Sequence, residues 1–269
     1  MRKIGFVALL FIFIFYACKE DDFTYAFPEL NQHLVAVTTS GGDWEHRTEF
    51  VYDSLNRLSE IHNISVDGQT LIESYKYNDA GKISQKTNEN YTTNYVYNTA
   101  GQIIEDNVSY ISPNDGHISL TKTKYIYKNG KIKKGIGYSE EGGIVSYVSY
   151  KYDSRGNTLE KIVRSANSDS DFILYEIKFR YDNEVNPLGA FGLTSLNSSA
   201  YTGNSDIIQV NNPTYSLYLN SVMSSFPPEF EVTYEYNSAN LPETAVVNNI
   251  RYPEQEIRSV LFEYENVAD

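Results

Sequence analysis

The chain has one cysteine, Cys18, one tryptophan, Trp44, two methionines and four histidines in 269 residues. A single cysteine excludes an intramolecular disulfide framework, so stability must come from backbone pairing and apolar burial. His33, His46, His62 and His117 share no short repeated spacing, which argues against a histidine-built metal site. Long apolar runs are missing apart from residues 4–17, and that run is shorter than the roughly 20 residues a helix needs to span a bilayer. Basic residues are outnumbered, 22 against 35 acidic, for a formal net charge of −13. Such a surface repels a phosphate backbone, and nucleic acid is not expected as a partner. No stretch carries a sustained apolar period of 3.6, so no long amphipathic helix is expected. Gly-x-Ser-x-Gly, phosphate-loop and dinucleotide fingerprints are missing as well, and no cofactor or metal is expected.

What the chain has is aromatic residues, 24 tyrosines and 13 phenylalanines, many of them in a recurring pattern. Its clearest form is Tyr75-Lys76-Tyr77-Asn78-Asp79-Ala80-Gly81-Lys82-Ile83. Strand side chains alternate between faces, so Tyr75 and Tyr77 share one face, and Asn78 to Gly81 supply the turn that reverses the chain. Related copies centre on Tyr52, Tyr97, Tyr127, Tyr152, Tyr181, Tyr236 and Tyr264. The closing residue stands four positions after the second aromatic at Asn56, Gly81, Gly101, Gly156 and Asn240. Glycine adopts positive φ freely and asparagine tolerates it best among the rest, so these positions read as left-handed turn closers. The copy at Tyr127 is one residue shorter and ends Asn129-Gly130, the signal of a two-residue hairpin.

Between the turns the period is two, with Trp44, His46, Thr48, Phe50 and Tyr52 on one face and Glu45, Arg47 and Glu49 on the other. One face is therefore half-buried and the other wet. Eight hairpin units imply about 16 strands at most, whereas open sheets rarely exceed about 10 without curling. The expected fold is mainly β, an antiparallel meander of hairpin repeats forming one long, twisted, curling sheet. Tyr77, Tyr97, Tyr127 and Tyr152 are expected on the same side. The regularity breaks between Tyr181 and Tyr236, so residues 187–228 read as an insert of loop and short helix covering an end or face of the sheet.

At the N-terminus, Arg2 and Lys3 precede the short apolar run, a pattern of secretory signals. The ending Phe15-Tyr16-Ala17-Cys18 resembles a bacterial lipobox, which implies a signal peptide over 1–17 and a lipidated Cys18. The following Lys19, Glu20, Asp21 and Asp22 resemble the acidic export signal of Bacteroidota surface lipoproteins. Residues 18–33 would then be the lipidated tether and 34–269 a single domain. Loss of Arg2 and Lys3 with the signal takes the net charge from −13 to −15. The Tyr-x-Tyr-Asp-x-x-Gly-x-Leu motif, clearest over residues 150–159, resembles the YD repeats of Rhs-type proteins. With the leader and the segment 181–188, the chain is similar to a family of Bacteroidota outer-membrane lipoproteins. That resemblance implies a lipid-anchored protein facing the cell exterior.

Aromatic rows on a sheet invite comparison with sugar-binding platforms, and Trp44, Tyr75 and Tyr95 are the residues placed for it. The same rows also stabilise the sheet through cross-strand contacts. Two functions follow. One is a surface-tethered, non-enzymatic binding or scaffold module for a glycan, peptide or partner protein. The other is a glycan hydrolase with two carboxylates within roughly 5 to 10 Å across a pocket.

Overall fold

The computed structural model describes residues 31–166, 172–189, 210–220, 229–253 and 257–267. The signal segment, Cys18 and Lys19 to Asp22 lie outside them, as do residues 190–209 and 221–228 of the expected insert. Among the described residues sixteen strands follow one another. The first eight are β1 (Gln32–Gly41), β2 (Trp44–Tyr52), β3 (Leu58–Ile64), β4 (Thr70–Tyr77), β5 (Ile83–Thr87), β6 (Tyr91–Tyr97), β7 (Ile103–Ile111) and β8 (Ile118–Lys128). The others are β9 (Lys131–Tyr138), β10 (Ile144–Tyr152), β11 (Thr158–Ser165), β12 (Ile173–Val185), β13 (Asn211–Asn220), β14 (Glu229–Tyr236), β15 (Pro242–Asn249) and β16 (Ile257–Asn266).

Each strand pairs antiparallel with the next, and β16 returns to pair with β1 from Gln32↔Asn266 to Ser40↔Ser259. The sheet is thus a closed barrel, which corrects the expectation of a curling sheet whose open end is covered by an insert. Closure satisfies the N–H and C=O groups that two free edges would expose. Asn31 and Val267 meet beside that seam, the Val267 amide donating to the Asn31 carbonyl at 3.1 Å. Both ends of the described chain therefore lie at one rim, here the proximal rim, with the Tyr-Asp-type turns.

A second correction concerns the insert. Residues 211–220 are a barrel strand, with Tyr175↔Asn220 to Tyr181↔Pro213 on one side and Tyr215↔Glu231 on the other. Pro213 disguised it, because proline cannot donate to a ladder; it sits where the β12 register is interrupted between Arg180 and Tyr181.

One irregularity repeats around the barrel. The register slips by one residue just before Tyr52, Tyr77, Tyr97, Tyr127, Tyr152 and Tyr236, so that Tyr52 faces Leu58, Tyr77 faces Ile83 and Tyr97 faces Ile103. The extra residue on the return strand includes Ser59 and Ser84, whose hydroxyls donate to the Val51 and Lys76 carbonyls at 3.0 and 3.2 Å. A bulge sharpens local twist and bends the strand, and six at equivalent places help to curl the sheet until its edges meet.

Alternation sorts the side chains cleanly. Leu34, Val37, Phe50, Leu58, Ile61, Tyr75, Phe230, Val232, Val247, Val260 and Phe262 are buried and pack as one cluster, with Tyr52, Tyr77, Ile83, Tyr234 and Tyr264 against it. This is the inward face. Leu188, just beyond β12, joins the same cluster. The opposite parity faces water and carries charge: Arg47 pairs with Glu49 and Glu263, Lys151 with Glu160, and Lys178 with Glu176.

Candidate functional site

The proximal turns are built alike. The Asp53 side chain accepts from the Leu55 and Arg57 amides at 2.8 and 3.0 Å, and Asn78, Asp153 and Asn237 do the same two and four residues on. The closing positions have positive φ: 58° at Asn56 and Asn240, 72° at Gly81, 76° at Gly101 and 97° at Gly156. In the short turn both Asn129 and Gly130 are left-handed, at 52° and 70°, the pair that a type I′ hairpin requires.

Above these turns a tyrosine reaches back one hairpin in seven of the units, the second aromatic in six of them and the first, Tyr234, in the seventh, where Tyr236 donates to Asp182 instead. The hydroxyls of Tyr52, Tyr77, Tyr97, Tyr127, Tyr181, Tyr234 and Tyr264 donate to the carbonyls of Leu34, Leu58, Ile83, Ile103, Thr158, Pro213 and Pro242, at 2.6 to 3.0 Å. Burial pushes the Tyr97 hydroxyl up to about 12 and raises those of Tyr52, Tyr77 and Tyr264. These tyrosines are occupied with the fold.

Polar groups also point inward, on strands where the parity is otherwise apolar. Glu73 is buried, accepts a hydrogen bond from Tyr75 and lies 3.4 Å from Lys86. Burial first and the Glu73 carboxylate second raise the Tyr75 hydroxyl well above its ordinary value. Asp106 is buried and accepts from Tyr125, and Lys161 is buried on β11. Glu73 on β4 and Asp106 on β7 stand three strands apart, roughly 14 Å at ordinary strand spacing.

Of the three residues singled out as a ligand platform, Trp44 stands apart, while Tyr75 and Tyr95 lie near one another on the inward face. Tyr75 is buried with its hydroxyl on Glu73, and Tyr95 is half-buried opposite Asp106. Trp44 opens β2 at the distal rim and is 38% exposed. Sequence reasoning missed its neighbour: the Arg258 guanidinium lies 5.5 Å from the centre of the Trp44 ring and 5.4 Å from that of Phe230. Burial lowers the Arg258 pKa. The available signal was parity, since Arg258 shares its strand face with Val260, Phe262 and Tyr264.

No family model matches the sequence, and no curated protein matches it. Among solved structures the fold is similar to that of a porin-like protein from Bacteroides uniformis, 15% identical with a TM-score of 0.53, over 86% of this chain and 96% of that one. A porin-like protein from Bacteroides vulgatus is 14% identical with a TM-score of 0.54, over 88% of this chain and 100% of that one. Part of the Photorhabdus luminescens Tc holotoxin pore matches with a TM-score of 0.33 over 13% of its chain. At these identities the first two likenesses concern the fold.

Proposed function

We propose that this chain is a lipid-anchored protein of the outer membrane whose barrel works in water as a non-enzymatic binding or scaffold module, and whose strands do not line a transmembrane pore. The observation that carries this is the polarity of the two faces. A membrane-spanning barrel turns apolar residues outward between aromatic girdles and keeps polar ones inside. Here the order is reversed. Arg47, Glu49, Glu105, Lys124, Lys151, Glu160, Glu176, Lys178 and Glu263 face outward within the strands, and the aromatic and aliphatic core faces inward. Outward apolar residues stand among polar ones: Ile72 opposite His62, Val96 opposite Glu105, Ile126 opposite Lys134. A lysine or arginine facing lipid at the bilayer midplane costs about 2 to 4 kcal/mol, and this surface holds several.

The barrel likeness supports the shape, and the lipobox-like Cys18 would supply the attachment that such strands cannot. Glycan, peptide or partner protein would then meet a rim of the barrel. The fragment beginning at Asp21 should purify without detergent and give no conductance steps in planar bilayers. The full chain should take acyl label at Cys18 and lose it, with its membrane association, in Cys18→Ala; protease added to intact cells should digest it. Stepwise conductance from the fragment would overturn the reading.

A further inference from the structure

Charge is unevenly spread over the outer wall of the barrel. The adjacent strands β8, β9 and β10 contain seven lysines and no carboxylate, in a chain with 35 acidic and 22 basic residues. In the ring of strands β8 and β9 stand opposite β16 and β1, and the outward acids Glu231, Glu235 and Glu263 lie on that far side. Register puts Lys122 and Lys124 of β8 and Lys134 of β9 on the outer surface in successive rows, Asn107↔Lys122↔Tyr138, Glu105↔Lys124↔Ile136 and Ile126↔Lys134↔Ser149. Rows two residues apart stand about 7 Å from one another along the strands. Two outward rings hold these ammoniums in place: Lys122 and Lys124 lie 5.5 and 5.8 Å from the Tyr138 ring centre, and Lys134 lies 4.1 Å from that of Tyr147. Glu105 approaches Lys124 at 3.8 Å, whereas Lys122 and Lys134 have no ion pair among the described residues. Like charges on one sheet face repel, and none of the three joins the core, so stability does not account for them.

Towards the distal end the first of these rows opens into a cleft of about 250 Å³, with Asn94, Asn107, Ser109 and Lys122 on the strands and Ser139 and Glu140 on the β9–β10 turn. Gln85 uses only the Asn94 carbonyl oxygen, at 2.9 Å, and Glu105 only the Asn107 NH2, at 3.0 Å, so each amide keeps its other polar group for a ligand. The turns that bound β7 to β10 all belong to the described residues. The geometry points to a binding strip for an acidic polysaccharide, running from this cleft down the wall over Lys122, Lys124 and Lys134. Ammoniums at steps of about 7 Å meet a carboxylate or sulfate repeated along a chain, the tyrosine rings offer apolar faces between them, and the amides and hydroxyls of the cleft pair with sugar hydroxyls. Glu140 accepts from a hydroxyl and repels a bare anion. The net charge of −13 repels polyanions in general, so a partner must be narrow enough to stay on the strip, about 10 Å across two strand spacings, between Glu105 and Glu160. A DNA duplex, with a charge about every 1.7 Å, overlaps those acids. The strip deepens the binding-module reading by naming a partner class and adds the wall to the rims as a contact surface; it rests on that reading, because it needs a wall that stands in water.

The full chain in a non-ionic detergent can be titrated by calorimetry with an oligogalacturonate and with a heparin oligosaccharide of equal charge, the carboxylate and sulfate sources of that chemistry. Saturable binding of at least one is expected, weakening steeply with salt. The neutral methyl ester of the oligogalacturonate, polyglutamate and duplex DNA should each bind at least tenfold more weakly. Lys122→Gln with Lys134→Gln should cost at least fivefold in affinity. Lys76→Gln with Lys82→Gln, which changes the net charge equally but lies off the strip, should cost less than twofold, with unchanged circular dichroism marking both pairs as folded. Asn107→Leu, which keeps every lysine, should weaken the oligosaccharide and leave polyglutamate unchanged. No binding to either oligosaccharide, equal losses in the two lysine pairs, or polyglutamate binding as tightly as the sugar overturns the strip. None of these results touches the bilayer conductance test, which alone decides whether the barrel works in water.

Discussion

The hydroxyl of Tyr77 donates a 2.7 Å hydrogen bond to the main-chain carbonyl of Leu58, the residue that stands opposite Tyr52 in the preceding hairpin. The same step recurs: Tyr97 reaches the residue opposite Tyr77, and Tyr127 the residue opposite Tyr97. At the seam Tyr52 reaches Leu34, which itself stands opposite Tyr264. One side-chain contact thus ties these hairpins to their predecessors and carries the tie across the closure. Tyr77→Phe keeps the ring and loses only the bond, so it should cost about 1 kcal/mol in urea unfolding with an unchanged slope. A midpoint equal to wild type would mean that the contact is incidental.

The staples also set the alkaline limit of the fold. The Tyr97 hydroxyl is held near 12 by burial, against an ordinary value near 10. A hydroxyl whose folded pKa is raised stabilises the fold fully below the unfolded value and loses that contribution as pH rises through the folded one. Tyr52, Tyr77 and Tyr264 shift in the same direction, again mainly by burial. Stability should therefore fall between about pH 10 and pH 12, and tyrosinate absorbance for these residues should rise together with unfolding. Early, non-cooperative ionisation of all tyrosines near pH 10 would contradict this.

Gly81 separates backbone conformation from packing. Its φ is 72°, and a Cβ added there would meet nothing within 4 Å. Gly81→Val should cost about 1 to 2 kcal/mol because a β-branched residue is forced to positive φ. Gly81→Asn should lie within about 0.5 kcal/mol of wild type, as Asn56 and Asn240 already hold the equivalent place at 58°. Equal melting temperatures for the two variants would refute the argument.

The repeat was legible because hairpin chemistry is local: an aromatic pair, an Asx residue and a closing glycine or asparagine act within nine residues. Closure was not, since nothing in β1 or β16 alone tells that Leu34 will meet Tyr264. The strand β13 escaped because Pro213 and the lack of a Tyr-x-Tyr-Asp tooth imitate a loop. Glu73, Asp106 and Arg258 were visible only as charges on an apolar parity, a pattern that gains meaning once the parity is known to face inward. Bulges before each tyrosine left no composition signal either; Ser59, Lys133 and Leu159 occupy equivalent extra positions with unlike side chains.

Closure makes one more demand, on chain order. Because Asn31 and Val267 are hydrogen-bonded at the seam, a short glycine-serine linker can join them without disturbing β1 or β16. The chain can then be opened at the exposed distal turn around Asn114 and Asp115, where Gly116 has a φ of 69°. The new ends would fall between β7 and β8, and all sixteen strand pairings would remain available. Such a permutant of residues 31–267 should fold to the same β-rich spectrum and lose no more than about 1 to 2 kcal/mol, the scale of an ordinary surface change plus one altered loop closure. An open sheet would behave otherwise, because the linker would then have to span its full width. A permutant that is unfolded or aggregated, alongside a well-folded linear fragment, would count against the β1 and β16 seam.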